Sequence, residues 1–225
     1  MMTAPLPLGV LISGSGSNLQ AIIDAIERQQ LTARIQVVIS NRADAYGLSR
    51  AQHHGIPTVV INHKEFASRE DFEAALIQCL QSHQVELVVL AGFMRVLTPF
   101  FVRAFPYRII NIHPALLPAF PGTHAQRQAL HYGVRIAGAT VHFVDEDMDH
   151  GPIIAQAAVP VYPDDTEETL SARILAQEHR LYPHAIQLFA EGRVEIRGRR
   201  VVVHNEPQAP HALLRVPEST SGQKD

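Results

Sequence analysis

Short apolar runs alternate with amphipathic segments through the first half of the chain, and this pattern constrains the fold more than any other feature. Runs rich in Val, Ile and Leu predict strands at Leu8–Ile12, Ile35–Ser40, Thr58–Ile61 and Leu87–Ala91. Apolar residues at helical spacing predict helices at Leu19–Gln29, at Tyr46–His54, and from a cap at Ser68 to about Ser82. Alternating strands and helices are typical of parallel βαβ units. We therefore expect an α/β, Rossmann-like fold with a mostly parallel central sheet flanked by helices on both faces.

The pattern changes near Pro114. The predicted elements around and after it are a helix at Thr98–Phe105, a strand at Arg108–His113, a helix at His124–Tyr132, longer strands at Ile136–Val144 and Ile153–Val161, a helix at Thr166–Glu191 bent near Pro183, and a C-terminal hairpin of Val194–Arg197 and Arg200–His204. From Glu206 onward Pro, Gln, Ser and Gly dominate. We expect one domain over residues 1–205 and a flexible tail over residues 206–225.

Composition restricts the class of protein. The 225 residues are 46% hydrophobic and 18% charged, within the ordinary range of a globular domain. No apolar run approaches the ~20 residues of a membrane span, and no basic leader precedes the first strand, so we expect a cytoplasmic protein without membrane contact. A net charge of −3 argues against nucleic-acid binding. The single cysteine, Cys79, lies in a predicted helix and is expected to fill the core rather than act as a nucleophile.

Asn111, His113 and Asp149 are the candidate catalytic set. Alternation along the strand predicted at Arg108–His113 points Asn111 and His113 to the same side, and Pro114 ends the strand beyond them. Acyl transfer without a covalent intermediate needs an amide donor for a developing oxyanion, a proton-transfer group and an acid that sets its charge. These three side chains supply that combination. The alternative is a strand end whose Asn and His are satisfied by ordinary hydrogen bonds.

A Gly- and Ser-rich loop, Ser13–Asn18, lies between the first predicted strand and helix, and we call it the anion loop. Its glycines let backbone N–H groups approach an anion, which the helix N-terminus also favours, and a phosphomonoester is the best ligand. Leu19 occupies the place of the third glycine in a dinucleotide-binding fingerprint, and the Gly-Lys-Ser/Thr of a Walker loop is missing. The alternative is a purely structural turn.

The segment Asp145–Gly151, which we call the acid loop, carries four acids. It lacks the Asp-x-Asp-x-Asp-Gly alternation of a calcium loop. The thirteen histidines show no spacing typical of transition-metal ligands, so we expect no metal. Asp149, just before Gly151 and Pro152, is the best candidate for a carboxylate turned into the site. The alternative, a solvated surface loop, describes Glu146 better.

Seven stretches of the sequence resemble one enzyme family, in the order in which that family carries them. They are Leu11–Leu19, Ser40–Ala45, Leu90–Arg95, Asn111–Pro118, Gly138–Phe143, Asp149–Pro152 and Gln177–His179. With them, residues 8–195 resemble the phosphoribosylglycinamide formyltransferases, folate-dependent enzymes of purine synthesis, in their monofunctional bacterial form. The resemblance implies that the fold is the formyltransferase version of the Rossmann-like architecture. It also implies transfer of the formyl group of the cosubstrate 10-formyltetrahydrofolate to the amine of glycinamide ribonucleotide.

The resemblance assigns roles to individual residues. The catalytic positions are Asn111, His113 and Asp149, and those matched to ribonucleotide binding are Gly16, Ser17, Asn18 and Glu178, the last holding the ribose hydroxyls. Those matched to folate binding are Arg69 near the folate tail, Met94, Arg95, Val96 and Leu97 in the pterin slot, and the backbone of Asp145, Glu146, Asp147, Met148 and Asp149. Thr140 and His142 match positions that support the same acid. Ala115, Thr123 and Ser15 depart from the residues frequent in the family without touching a proposed catalytic atom.

In the implied mechanism the amine attacks the formyl carbon directly. Asn111 and His113 stabilise the oxyanion of the tetrahedral intermediate, and Asp149 favours the protonated form of His113. A water beside Asp149 moves the proton from the attacking amine to the departing folate nitrogen. Because no acyl-enzyme forms, no activated Ser or Cys is required.

Three other functions compete with this interpretation. A methionyl-tRNA formyltransferase would add a long basic C-terminal domain, which we do not expect in this acidic chain. A formyltetrahydrofolate deformylase would add an N-terminal regulatory domain, for which we expect no room before a strand that starts at about residue 8. A catalytically silent sensor of nucleotides or sugar phosphates would explain the anion loop but not the Asn–His–Asp set. The expected partners are small molecules, and the oligomeric state stays open, a homodimer included.

Overall fold

A computed structural model describes residues 4–205, and the tail predicted at 206–225 lies outside the described residues. The strands are β1 (Leu6–Ile12), β2 (Ala33–Ser40), β3 (Thr58–Val60), β4 (Leu87–Leu90), β5 (Ile109–His113), β6 (Ile136–Phe143), β7 (Ile153–Pro160), β8 (Val194–Arg197) and β9 (Arg200–Val203). The helices are α1 (Ser17–Glu27), α2 (Tyr46–His53), α3 (Arg69–Ser82), α4 (Pro99–Ala104), α5 (Ala125–Tyr132) and α6 (Glu167–Ala190). A single 3₁₀ turn covers His63–Glu65. Every predicted helix and strand is present, with ends that differ by up to two residues.

The central sheet has seven strands in the order β3-β2-β1-β4-β5-β6-β7. Strands β1 to β5 pair in parallel, whereas β5 with β6 and β6 with β7 pair antiparallel. The expected mostly parallel sheet is therefore confirmed, and so is the C-terminal hairpin, in which β8 pairs with β9 as a separate sheet.

Helices cover both faces of the sheet, as expected. Alternate residues of β1 belong to two different apolar clusters: Leu8 and Val10 join the cluster that contains α6, and Leu11 joins the cluster that contains Phe72 of α3. Because each face is buried, the central strands are nearly continuous runs of Val, Ile and Leu. This rigid layer positions the loops at the carboxyl ends of β1, β4 and β5.

Tyr182 fixes helix α6 to the sheet beside these loops. Its ring is fully buried, and its hydroxyl lies 2.9 Å from the carbonyl oxygen of Leu90 and 3.1 Å from that of Ile110. Burial raises the pKa of Tyr182 well above its ordinary value, so the hydroxyl stays protonated and can donate a hydrogen bond. Glu178 lies one helical turn earlier in α6 and is therefore held over the ends of β4 and β5. The helix runs through Pro183 without interruption.

Candidate active site

Asn111 and His113 lie two residues apart on β5 and face the same way. Their antiparallel neighbours on β6 are His142 and Thr140, respectively. His113 is only 4% exposed, and its Nε2 donates to the carbonyl oxygen of Phe120 at 2.9 Å. Its other ring nitrogen, Nδ1, lies 3.4 Å from Oδ2 of Asp149. The structure thus brings the imidazole and the carboxylate of the candidate catalytic set into contact.

Asp149 is turned inward by the backbone of the acid loop. Its φ of 52° is in the left-handed region, which Asp tolerates better than most residues, and its Oδ2 accepts a hydrogen bond from the backbone N–H of Gly122 at 2.8 Å. The neighbouring Gly151 is required sterically, because a Cβ there would lie 1.8 Å from the carbonyl oxygen of Phe143. Asp149 therefore faces His113, although most side chains of this loop face solvent.

His142 links Asn111 to the same acid. Its Nδ1 donates to the carbonyl oxygen of Phe143 at 2.8 Å, so Nε2 is left as an acceptor for the amide nitrogen of Asn111 at 3.3 Å. Burial lowers the pKa of His142 and favours this neutral form, outweighing the nearby Asp149, whose Oδ1 lies 3.8 Å from Nε2. The contact fixes the orientation of the Asn111 amide, with its nitrogen as the donor.

Thr140 supports the loop that follows β5. Its hydroxyl donates to the carbonyl oxygen of Ala115 at 2.7 Å and accepts from the backbone N–H of Leu117 at 3.0 Å. Gln156 also donates to it. These hydrogen bonds hold the proline-rich loop after β5, and the expected role of Thr140 near the acid stays a prediction.

The anion loop leads from β1 into the first turn of α1. Gly16 has a φ of 69°, and a Cβ on it would lie 2.5 Å from Cα of Gly47, so only glycine fits. No side chain caps α1 and no acid lies in its first turn, which leaves the positive end of the helix dipole available to an anion. The loop lines a cavity of about 280 Å³ together with Gly92 and Met94. Ser17 and Asn18 both line this cavity.

Glu178 closes the inner end of this region. It is 6% exposed, and its Oε2 accepts a hydrogen bond from Nδ2 of Asn18 at 2.7 Å, while the buried Oδ1 of Asn18 has no protein partner within the described residues. Burial raises the pKa of Glu178, against smaller lowering effects of Asn18 and His113. The expected ribonucleotide residues Gly16, Ser17, Asn18 and Glu178 therefore lie together.

Ser13, the first residue of the anion loop, joins the two ligand regions, a role that its place in the loop did not indicate. Its hydroxyl donates to Oδ1 of Asn41 at 2.6 Å and accepts from the backbone N–H of Met94 at 2.8 Å. The amide of Asn41 in turn contacts Nδ1 of His63 at 3.2 Å. The only signal in the sequence was that Ser13 and Asn41 occur in stretches resembling the enzyme family.

The residues matched to folate binding fall into exposed and buried groups. Met94 and Val96 are 74% and 54% exposed, and Arg95 is half-buried. Leu97 packs instead in the apolar core with Phe101, so its side chain is a structural residue and only its backbone remains a candidate for the slot.

The acid loop presents its polar side chains to one another and to solvent. Asp145 accepts from the backbone N–H of Asp147 at 3.2 Å, and Glu146 pairs with Arg103 at 2.9 Å on the surface. The solvated description of Glu146 fits this placement. Met148 is exposed and lies beside Gly122.

Glu73 supports the 94–97 segment and was not anticipated. This carboxylate of α3 is 1% exposed, and it accepts from the backbone N–H of Thr98 at 2.7 Å and from the Thr98 hydroxyl. It thereby fixes the residue that follows Leu97. Arg69 lies one turn earlier in α3, at its exposed start.

The described part of the chain has neither a membrane-spanning helix nor a cluster of metal ligands. Within residues 4–205, no helix has the length and apolar character that crossing a bilayer requires. In the same part of the chain, no three His, Cys, Asp or Glu side chains converge where they could share a metal ion.

Comparison with known proteins identifies the family. A family model described as "Formyl transferase" matches residues 8–186. The chain belongs to the formyl transferase family. It is 48% identical over 187 residues to the phosphoribosylglycinamide formyltransferase of Escherichia coli (strain K12), an alignment that covers 83% of this chain and 88% of that protein.

A solved structure and a longer relative extend this result. The crystal structure of glycinamide ribonucleotide transformylase 1 from Symbiobacterium toebii is 56% identical, with a TM-score of 0.88, and the match covers 90% of this chain and 95% of that chain. The trifunctional purine biosynthetic protein adenosine-3 of Drosophila pseudoobscura pseudoobscura is 54% identical over 82% of this chain. The chain spans only 14% to 19% of the length of that protein and its fruit-fly and human counterparts. These matches confirm the family resemblance drawn from the seven stretches.

Proposed function

We propose that this chain transfers the formyl group of 10-formyltetrahydrofolate to the amine of glycinamide ribonucleotide, a step of de novo purine synthesis. The observation that carries the proposal is the contact of His113 with an inward-turned Asp149, with the Asn111 amide oriented on the same strand. The family membership and the E. coli relative support the reaction class. We place the reaction in the cytoplasm, with small molecules as substrates.

The ribonucleotide would occupy the anion loop. Its phosphate would meet the positive end of α1 at Gly16, Ser17 and Asn18. Its ribose hydroxyls would reach Glu178, whose carboxylate can accept from them because Asn18 is its only donor within residues 4–205. This arrangement would direct the amine towards the end of β5.

The folate would bind on the other side of β5. Its pterin would lie between the 94–97 segment and the backbone of the acid loop, and Arg69 would meet the carboxylates of the folate tail. No metal is needed in this scheme. The residues up to 205 would thus form one formyltransferase domain, with the ribonucleotide bound mainly by its first half and the folate mainly by its second.

The chain's own groups account for each step of the transfer. As the amine nitrogen bonds to the formyl carbon, Asn111 Nδ2 and His113 Nε2 would donate to the oxygen that becomes negative. The formyl oxygen would replace the carbonyl oxygen of Phe120 as the partner of His113. Asp149 would stabilise the imidazolium and, through a water, pass the amine proton to the folate nitrogen as its bond to carbon breaks.

One assay tests the proposal against its competitors. The purified chain is given 10-formyltetrahydrofolate with glycinamide ribonucleotide, with methionyl-tRNA, or with no acceptor, and formylated product and released formate are both measured. We expect product only with the ribonucleotide and little formate. Formate released equally with and without an acceptor would instead indicate a deformylase, and binding of the ribonucleotide without turnover would indicate a sensor.

A further inference from the structure

The C-terminal hairpin reaches the acid loop through one side chain. Arg199 follows Gly198 in the turn between β8 and β9, and its Nη2 donates to the backbone carbonyl oxygen of His150 at 2.5 Å. Its Nη1 lies 3.3 Å from Nδ1 of the same histidine. His150 directly follows Asp149, so Arg199 holds the His150–Gly151 peptide, one residue beyond the inward-turned carboxylate.

The acid loop is also held at other points. Asp149 accepts from the N–H of Gly122 on the inner side, and Gly151 lies tightly against Phe143 at the end of the loop. His150 contacts Oδ2 of Asp145 at 3.0 Å within the loop. Two arginines contact the loop from the outer side: Arg103 pairs with the side chain of Glu146, whereas Arg199 comes from a separate sheet and binds backbone beside Asp149.

We propose that Arg199 is a positioning residue that holds the acid loop from outside, keeping Asp149 aimed at His113 and the loop backbone in place for the folate. The inference rests on the proposed function. Asp149 has a positive φ, so the peptide after it must be held in one orientation for the carboxylate to stay turned inward. The carbonyl of His150 belongs to the next peptide, between His150 and Gly151, so Arg199 fixes the backbone one residue beyond Asp149 and with it the direction in which the loop leaves that residue.

The placement of Arg199 predicts a selective effect. The side chain is exposed and lies on a hairpin outside the central sheet, so its loss should change the overall stability little. The ribonucleotide region is formed by α1 and α6, which do not include the hairpin. Losing Arg199 should therefore affect the folate and the chemical step more than the ribonucleotide.

The test compares Arg199→Ala with Arg200→Ala. Arg200 is the neighbouring exposed arginine, and its side chain makes no hydrogen bond or ion pair within residues 4–205, which makes it a matched control. For Arg199→Ala we expect kcat/KM for the folate to fall about threefold to tenfold, with the ribonucleotide KM and the melting temperature close to those of the parent. Arg199→Lys, which keeps the charge and a donating ammonium but not the planar fork of the guanidinium, should recover part of the loss. Arg200→Ala should match the parent.

Hydrogen exchange separates the failure of this inference from the failure of the proposed function. We expect the amides of the acid loop to exchange faster in Arg199→Ala than in the parent or Arg200→Ala. If the parent were inactive, the proposed function would be overturned. Hydrogen exchange would then still show whether Arg199 orders the acid loop. An active parent, with Arg199→Ala equal to Arg200→Ala in kinetics and exchange, would overturn the inference. A ribonucleotide KM that rises as much as the folate KM would overturn it too, because it would indicate general damage.

Discussion

The candidate site has two sides that are held together by different kinds of contact. We call them the ribonucleotide flank, formed by the anion loop and Glu178, and the folate flank, formed by the 94–97 segment and the acid loop. On the ribonucleotide flank the contacts are buried hydrogen bonds between side chains that directly follow strands or lie on helices, Ser13 with Asn41 and Asn18 with Glu178. On the folate flank, the buried Glu73 anchors one end of the 94–97 segment, but exposed side chains such as Met94 lie on the loops, and the acid loop has surface contacts such as Glu146 with Arg103. The first flank is preorganised, whereas the second can adjust to its ligand.

This difference bears on what each flank can recognise. Buried, directional bonds fix a small charged ligand at little cost in ordering, whereas flexible methionine side chains adapt to a large planar one. Substitutions on the ribonucleotide flank should therefore change stability and binding together. On the folate flank they should change binding or turnover with little effect on stability.

The largest expected effect is at His113, which lies between the flanks. We expect His113→Ala to lower kcat by roughly 10²–10⁴, because a positioned proton-transfer group is lost, with smaller changes in either KM. Asn111→Ala should lose a similar factor through its oxyanion donor. Steady-state kinetics for both substrates checks this, with His53→Ala, an exposed histidine of α2, as the control. Near-parental turnover in both variants would show that the chemistry occurs elsewhere.

A second large effect is expected at Asp149. Asp149→Asn keeps the size of the side chain and an oxygen for the Gly122 N–H, but it removes the charge facing His113. We expect turnover to fall on the order of 10²-fold at every pH, because imidazolium stabilisation and proton relay are both lost. The matched control is Asp147→Asn, an exposed acid of the same loop. Full activity in Asp149→Asn would remove Asp149 from the catalytic set.

Gly16→Val tests the preorganised flank directly. The new side chain meets Cα of Gly47 and must adopt a positive φ, so we expect the ribonucleotide KM to rise about tenfold or more and stability to fall by about 1–3 kcal/mol. The folate KM should stay unchanged. Gly55→Val is the control, since Gly55 has a similar φ of 67° but open space around it. A loss of folate affinity instead would mean that the two subsites are assigned the wrong way round.

The sequence predicted those parts of the site that depend on short-range pattern. The glycines of the anion loop and the alternation that aligns Asn111 with His113 are local, and both features could be recognised along the chain. The supports for them join residues far apart: Glu73 reaches Thr98 across 25 positions and Arg199 reaches His150 across 49. No periodicity encodes such pairs.

The orientations of the Leu97 and Thr140 side chains also depend on contacts that the sequence motifs do not contain. Leu97 falls in a stretch that resembles the slot of the family, yet packing against Phe101 takes its side chain into the core. Thr140 belongs to a matched stretch as well, but its neighbours on β6 and β7 direct its hydroxyl to the loop after β5. Which way a side chain faces in three dimensions was decided by packing that the motif does not contain.

The smallest expected effect is a change in how the free energy of unfolding depends on pH. It distinguishes Glu178, a carboxylate of the candidate site, from Asp165, a carboxylate that supports the fold. Burial raises the pKa of Glu178 above its ordinary 4.5, so the folded chain holds that proton to higher pH than the unfolded chain. Stability should therefore fall as pH rises from 4.5 through the raised pKa, and Glu178→Gln should remove this decline. Its ribonucleotide KM should rise, because a binding carboxylate is lost.

At Asp165 the stability should change with pH in the opposite direction. The hydrogen bond from Arg173 is the largest of the effects that hold its pKa below the ordinary 3.8, so the carboxylate stabilises the fold above pH 3.8 and loses this contribution as pH falls below it. Asp165→Asn should therefore be destabilised near neutral pH, by about 1–3 kcal/mol, and approach the parent in acid, with both KM values unchanged. Urea unfolding of the parent and both variants between pH 3 and 8 gives the two difference curves. The difference in unfolding free energy between Glu178→Gln and the parent could instead change with pH in the same direction as that for Asp165→Asn. Hydrogen bonding, rather than burial, would then dominate the pKa of Glu178, and the two carboxylates would not differ in the way proposed.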